Sequence, residues 1–201
     1  MVDPLGAQSA RENLLYIRKT LEAAGQITAV PGKCLIAAGL ISIAGAVFNG
    51  FVTGAPWSYG PYTHIALATW GVVLGLSVAI VSVGIYRKSL QICAPIRPPL
   101  LRKLLWSLCP TLFVGALLTS LAVRSDNLEW LPVIWLGCYG AAVTNGGQVS
   151  VTPVRHMGLC FLLAAAGAAL SPRGAGLAWL VLGFGWLHLI YGAYIARRYN
   201  G

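Results

Sequence analysis

CLIAAGLISIAGAVFNGFVTGAPWSYGPYTHIALATWGVVLGLSVAIVSVGIY, residues 34–86, contains no Asp, Glu, Lys or Arg. A helix that crosses the hydrocarbon core of a bilayer needs about 20 consecutive apolar residues. This stretch is long enough for two such helices and the turn between them. A chain of 201 residues could not bury the whole stretch in a water-soluble core. Composition extends the argument to the rest of the chain: 57% of residues are hydrophobic and only 9% are charged, against roughly 25% charged in soluble domains.

Working outward from residues 34–86, further apolar segments recur between short polar breaks. The sequence predicts spans over about Cys34–Val52, His64–Tyr86, Leu104–Val123, Leu131–Gly147, His156–Leu170 and Leu177–Ala196. The expected fold is therefore all-α: a polytopic transmembrane helical bundle of about six spans. The fifth segment looks short. Asn145-Gly146-Gly147 and Pro153 interrupt the pattern around it, so spans four and five could form a tilted or partly re-entrant pair. Residues 1–33 form a separate segment ahead of the 34–201 membrane domain. Within it, Ser9 and Glu12 have capping-box spacing. Leu14, Ile17 and Leu21 repeat on one face of a helix expected over residues 9–27. Such an amphipathic helix lies in the headgroup plane or packs on the cytoplasmic face of the bundle. Pro31-Gly32 ends it. No cleavable leader and no lipidation motif are expected from residues 1–10 or the chain end.

The net charge of +9 does not point to nucleic acid. The basic residues sit in short runs between apolar segments and no recognition motif accompanies them; the lipid bilayer itself is the expected partner. An even number of spans puts both ends on one side. Arg11, Arg18, Lys19, Lys33, Arg87, Lys88, Arg97, Arg102, Lys103, Arg155, Arg197 and Arg198 then share that side, against Arg124 and Arg173 on the other. Positive residues accumulate in cytoplasmic loops, so both ends are expected in the cytoplasm, the membrane being a bacterial inner membrane. Trp57, Tyr59, Tyr62, Trp130 and Trp179 fall near the outer boundary, and Tyr86, Trp106, Tyr194 and Tyr199 near the inner one, where amphipathic rings are favoured. Trp186 lies between boundaries and reads as packing. Labelling of the Ser89 region from outside intact cells would contradict this orientation.

Motifs that carry chemistry are sparse. The acidic residues Asp3, Glu12, Glu22, Asp126 and Glu129 all lie outside the spans, so no buried carboxylate is available for proton coupling. No nucleophile elbow, zinc-protease helix or phosphate-binding loop occurs. No enzyme activity, metal or obligatory cofactor is expected, and no catalytic residue is assigned. Cys34, Cys93, Cys109, Cys138 and Cys160 lack the grouping that a metal site needs and read as small buried hydrophobes. His188, within span six, is a weak cofactor candidate. It could ligate a chlorophyll-type pigment alone, or a haem together with His156 if the two lie at similar depth; the plainer alternative is a hydrogen bond to a neighbouring helix or to a cavity water. Asn49 and Asn145 are amides inside apolar spans, suited to interhelical bonding or to lining a solute path. Arg197 and Arg198 form a basic anchor at the inner end of span six, where cations complement the helix terminus; they could also dock a cytoplasmic partner. Small residues recur at contact spacing: Ala38, Ser42, Ala46 and Gly50 in span one, Gly71, Gly75 and Ala79 in span two. Such ridges let backbones approach, within the bundle or between copies of the chain.

Two end segments carry a resemblance: ENLLYIRKTLE at 12–22 with TAVPG at 28–32, and GWLHLIYGAYIARRY at 185–199. They resemble those of a family of bacterial multi-pass membrane proteins. In that family a TAVPG turn precedes the first span and a pattern of His, Gly and IARRYGG closes the chain. Tyr191 stands where the family has Phe, and Asn200 where it has Gly. The resemblance implies the same six-helix topology and no particular activity. Three functions remain open from the sequence: an accessory or scaffold subunit, a small transporter or channel for a neutral or apolar solute, and a pigment- or haem-bearing subunit.

Overall fold

The charge-free stretch folds into two long helices, α1 (Gly32–Thr53) and α2 (Thr63–Gln91), in a computed structural model that describes residues 13, 14, 16, 30–53, 62–91 and 98–199. The helix expected over 9–27 lies outside these apart from residues 13, 14 and 16, which are helical. Four further helices follow: α3 (Pro98–Arg124), α4 (Leu131–Gly146), α5 (Thr152–Leu170) and α6 (Gly176–Arg198). All but α4 are long and apolar enough to cross a membrane. Among the described residues no extended strand pairing forms a sheet.

α4 has 16 residues, about 24 Å at 1.5 Å per residue, short of a hydrocarbon core of about 30 Å. Its reach is extended by single 3₁₀ turns at both ends, Leu128–Trp130 and Gly147–Val149. Its contacts settle its course. Leu131 clusters with Ala122 at the end of α3, Cys138 meets Gly115 at mid-helix, and Gly146 faces Leu104 and Leu108 near the start of α3. α4 therefore runs back along the length of α3 and is not re-entrant. α5 is a full 19 residues. Pro153, which reads as an interruption in the sequence, occupies the first turn of α5, where its missing N–H and fixed φ favour initiation. The α3–α4 reversal is made at Asp126, whose φ of 56° is left-handed, a conformation that Asp tolerates better than most residues.

Val30, Leu35, Val151 and Ile195 cluster at one end of the bundle; Ala122, Leu128 and Leu131 cluster at the other. The basic residues of the described helices divide between these ends. Lys33, Arg87, Lys88, Arg102, Lys103, Arg155, Arg197 and Arg198 lie at or near the first, while Arg124 lies at the second with Asp126 and Glu129. Exposed Tyr86, Trp106 and Tyr194 ring the first end, and exposed Tyr62 and Trp130 the second. Trp186 is 55% exposed at mid-depth. It faces outward rather than into the packing that its sequence position suggests, because the inward positions of this stretch are taken by Gly183, Gly185 and His188.

The bundle is held by close backbone contacts. α1 lies on α6 through Gly32, Gly39, Gly185 and Gly192: a Cβ on Gly39 would stand 2.9 Å from the Gly185 carbonyl oxygen, and one on Gly192 2.9 Å from the Gly32 carbonyl oxygen. α4 and α5 meet through Gly140 and Gly158. α2 is attached along its face bearing Trp70, Val73, Val81, Gly84 and Lys88. Lys88 is 6% exposed; its ammonium donates to the carbonyls of Val30 at 2.8 Å and Tyr199 at 2.9 Å. One side chain thus joins the end of α2, the entry to α1 and the exit of α6.

The two ridges of small residues have different fates. On α1, Ala38, Ser42 and Ala46 are buried at 4% exposure or less, and Gly50 meets Leu177; this ridge packs inside the bundle. On α2, Gly71, Gly75 and Ala79 are exposed, and a Cβ on Gly71 or Gly75 would meet nothing within 4 Å. The inward face of α2 is the one bearing Trp70 and Val73, so Gly71, Gly75 and Ala79 are left pointing out of the bundle beside exposed Val72, Leu76, Val78 and Val83.

Candidate functional site

Bulky apolar positions on α2, α4, α5 and α6 converge on an aromatic core. Phe161 is 0% exposed, with ring centroids of Tyr139 at 4.8 Å, Phe184 at 5.3 Å and His188 at 5.4 Å. Trp70 extends the cluster, at 5.8 Å from Trp135 and 6.2 Å from Phe184. Inclined and edge-on arrangements such as that of Tyr139 on Phe161 suit the ring quadrupoles.

His188 follows directly on a π-helical segment, Val181–Leu187, in which bonding shifts from i−4 to i−5. Its Nε2 lies 2.8 Å from the Tyr139 hydroxyl. Its Nδ1 is buried, and no described residue hydrogen-bonds to it. Tyr139 donates to Nε2 or accepts from it according to the imidazole tautomer. The imidazole is therefore engaged with a neighbouring helix, as the plainer of the sequence expectations had it. His156 lies exposed near the start of α5, so the two imidazoles do not share one buried space. Tyr139→Phe is expected to leave the buried Nε2 of His188 unpaired, at a cost of about 1–3 kcal/mol. A lower thermal midpoint in detergent would register it, and the Tyr139→Phe/His188→Phe double variant should recover part of the loss. Equal midpoints for wild type and Tyr139→Phe would remove the bond from the account.

Asn49 is 3% exposed, and its Oδ1 accepts from Trp70 Nε1 at 2.8 Å. It ties α1 to α2 at the rim of the aromatic core. Trp135 Nε1 donates to Thr119 Oγ1 at 2.9 Å, and Cys160 Sγ lies 3.3 Å from the Tyr191 hydroxyl. Every helix of the bundle thus has a polar side-chain tie to a neighbour, set within an otherwise apolar interior.

The other sequence candidates lie elsewhere. Asn145 is exposed in the last turn of α4, facing a cleft at the basic end. Arg197 and Arg198 are exposed in the last turn of α6. None of the three approaches His188. Among the described residues no group of three or more His, Cys, Asp or Glu could hold a metal ion.

The chain matches no protein-family model, no curated protein and no solved structure. Its site is read from its own residues. Sequence reasoning singles out His188 and Asn49 as polar groups in apolar spans. It misses their partners, because Tyr139 and Trp70 are ordinary aromatics until the fold brings them within 2.8 Å. Lys88 is missed too, hidden in a basic run that reads as an orientation signal. The available signal was its spacing: residues 70, 73, 77, 81, 84 and 88 share one side of a helix.

Proposed function

We infer that this chain is a non-catalytic subunit of an integral-membrane assembly, an accessory or regulatory partner of another membrane polypeptide. The membrane is a bacterial inner membrane, with the basic end of the bundle in the cytoplasm. The observation that carries this reading is the outward ridge of Gly71, Gly75 and Ala79 on α2. Lipid gives no advantage to small residues on a helix surface. A second helix does, because small side chains let two backbones come close enough for dispersion and weak hydrogen bonds to hold them. The comparable small-residue contacts on α1, α4, α5 and α6 are already used within the chain.

The transport reading has less support. The groove between α1 and α2, about 610 Å³ and lined by Phe48, His64, Ala68, Val72 and Leu76 among others, shares no lining residue with the cleft at the basic end. The pigment reading requires a histidine nitrogen open to a ligand, whereas Nε2 of His188 is on the Tyr139 hydroxyl and Nδ1 is buried.

Purification from native membranes in mild detergent should yield a different polypeptide in stoichiometric amount. Gly75→Leu should reduce that polypeptide on the order of tenfold while the chain accumulates and unfolds as wild type, since a Cβ there meets nothing within 4 Å. Recovery of the chain alone, or only with copies of itself, would overturn the subunit reading.

A further inference from the structure

At the basic end, α3 and α4 part to leave a cleft of about 550 Å³. Arg102, Lys103, Trp106 and Ser107 line it from the first turns of α3. Asn145 and Gln148 line it from the end of α4 and the 3₁₀ turn that follows. The cleft exists because Gly146 brings the end of α4 onto Leu104 and Leu108, while the polar residues beside that contact diverge. Two cations, two carboxamides, a hydroxyl and an indole converge with no acidic side chain in the lining. Asp126 and Glu129 stand at the opposite end of the bundle. No described carboxylate neutralises Arg102 or Lys103, and both are exposed.

We propose that this cleft is a binding site for the phosphate headgroup of an anionic phospholipid in the adjoining leaflet. The donors suit a phosphodiester: a guanidinium that can take two oxygens at once, an ammonium as a point charge, and amide N–H groups from a second helix. Basic pockets between helices on the cytoplasmic side are the usual form of such sites. Two features favour a lipid over a free phosphate. Trp106, 74% exposed at the lip, is placed as an interfacial anchor. Above it on the same side of α3, Phe113 at 64% and Leu117 at 53% present an apolar wall along which acyl chains can lie. Only 6% of the apolar window of α3 is buried within the bundle, so this wall is open to lipid.

Native mass spectrometry of the delipidated full chain, titrated with phosphatidylglycerol or phosphatidylcholine, tests the site. One phosphatidylglycerol should be retained in preference to phosphatidylcholine. Arg102→Gln/Lys103→Gln should weaken retention on the order of tenfold. Arg197→Gln/Arg198→Gln removes the same charge from the same end and should leave retention unchanged; equal loss in both would show diffuse surface attraction and overturn the site. Asn145→Leu/Gln148→Leu, neutral in charge, should also weaken retention, and decides the matter should the arginine–lysine variant fail to fold. Displacement of the lipid by millimolar inorganic phosphate would assign the cleft to a soluble anion and overturn the lipid proposal.

Discussion

Gly158→Leu is expected to leave almost no folded protein in the membrane. A Cβ at this position would lie 2.5 Å from the Thr144 backbone nitrogen and 2.9 Å from the Gly140 carbonyl oxygen. Both are backbone atoms of α4 and neither can move aside by a change of rotamer. The two helices would have to separate along their contact, forfeiting the packing that associates helices in lipid. Overpacking of a yielding core costs about 1–3 kcal/mol; an unyielding backbone contact exceeds that. The loss would come in spite of a gain of about 1 kcal/mol in helix propensity from Gly to Leu, so it cannot be credited to the helix itself. Gly71→Leu is the matched control, since a Cβ there meets nothing within 4 Å, and should accumulate normally. Comparable yields of monodisperse protein from both variants would show that α4 and α5 do not approach as described.

Phe161→Ala should be the most damaging truncation in the aromatic core, at about 3–5 kcal/mol. The ring is fully buried and is the common neighbour of Tyr139, Phe184 and His188. Removing it opens a cavity between α4, α5 and α6 and takes away ring contacts each worth about 0.5–1.5 kcal/mol beyond burial. Phe161→Leu, which keeps most of the volume, should cost less than half as much. Thermal unfolding in detergent measures both. A change below about 1 kcal/mol for Phe161→Ala would mean that the three helices do not close around this ring.

The helical class and the course of the chain were legible because lipid imposes a simple demand. Charge-free lengths of about 20 residues must be helices with every backbone group satisfied internally, and residues 34–86 contain two of them. Boundaries shifted outward by a few residues: α2 continues past Tyr86 to Gln91 and α3 begins at Pro98, since long basic side chains can extend a helix into the headgroups. The fourth span was ambiguous for a physical reason. It is short, and its 3₁₀ ends read as turns. The direction of each small-residue ridge was not legible, because Ala38-Ser42-Ala46 and Gly71-Gly75-Ala79 have the same spacing and both helices also carry large apolar residues on their exposed sides. The cleft was invisible for another reason. Arg102 and Lys103 are separated from Asn145 and Gln148 by a whole helical hairpin, and only the reversal at Asp126 brings them together.

The contact of α1 with α6 bears on the order in which the protein is made. Synthesis delivers helices in chain order, so α1 enters the membrane long before α6 exists. Asn49 obtains its partner early, because Trp70 arrives with the next helix. The face of Gly32 and Gly39 must wait for Gly185 and Gly192, with four helices inserted in between. During that interval this face of α1 lacks the helix that it packs against. The Lys88 ammonium cannot reach the Tyr199 carbonyl until the ribosome has passed Tyr199. Docking of α6 on α1 is thus a late event, after which one lysine joins the ends of α2 and α6 to the entry of α1.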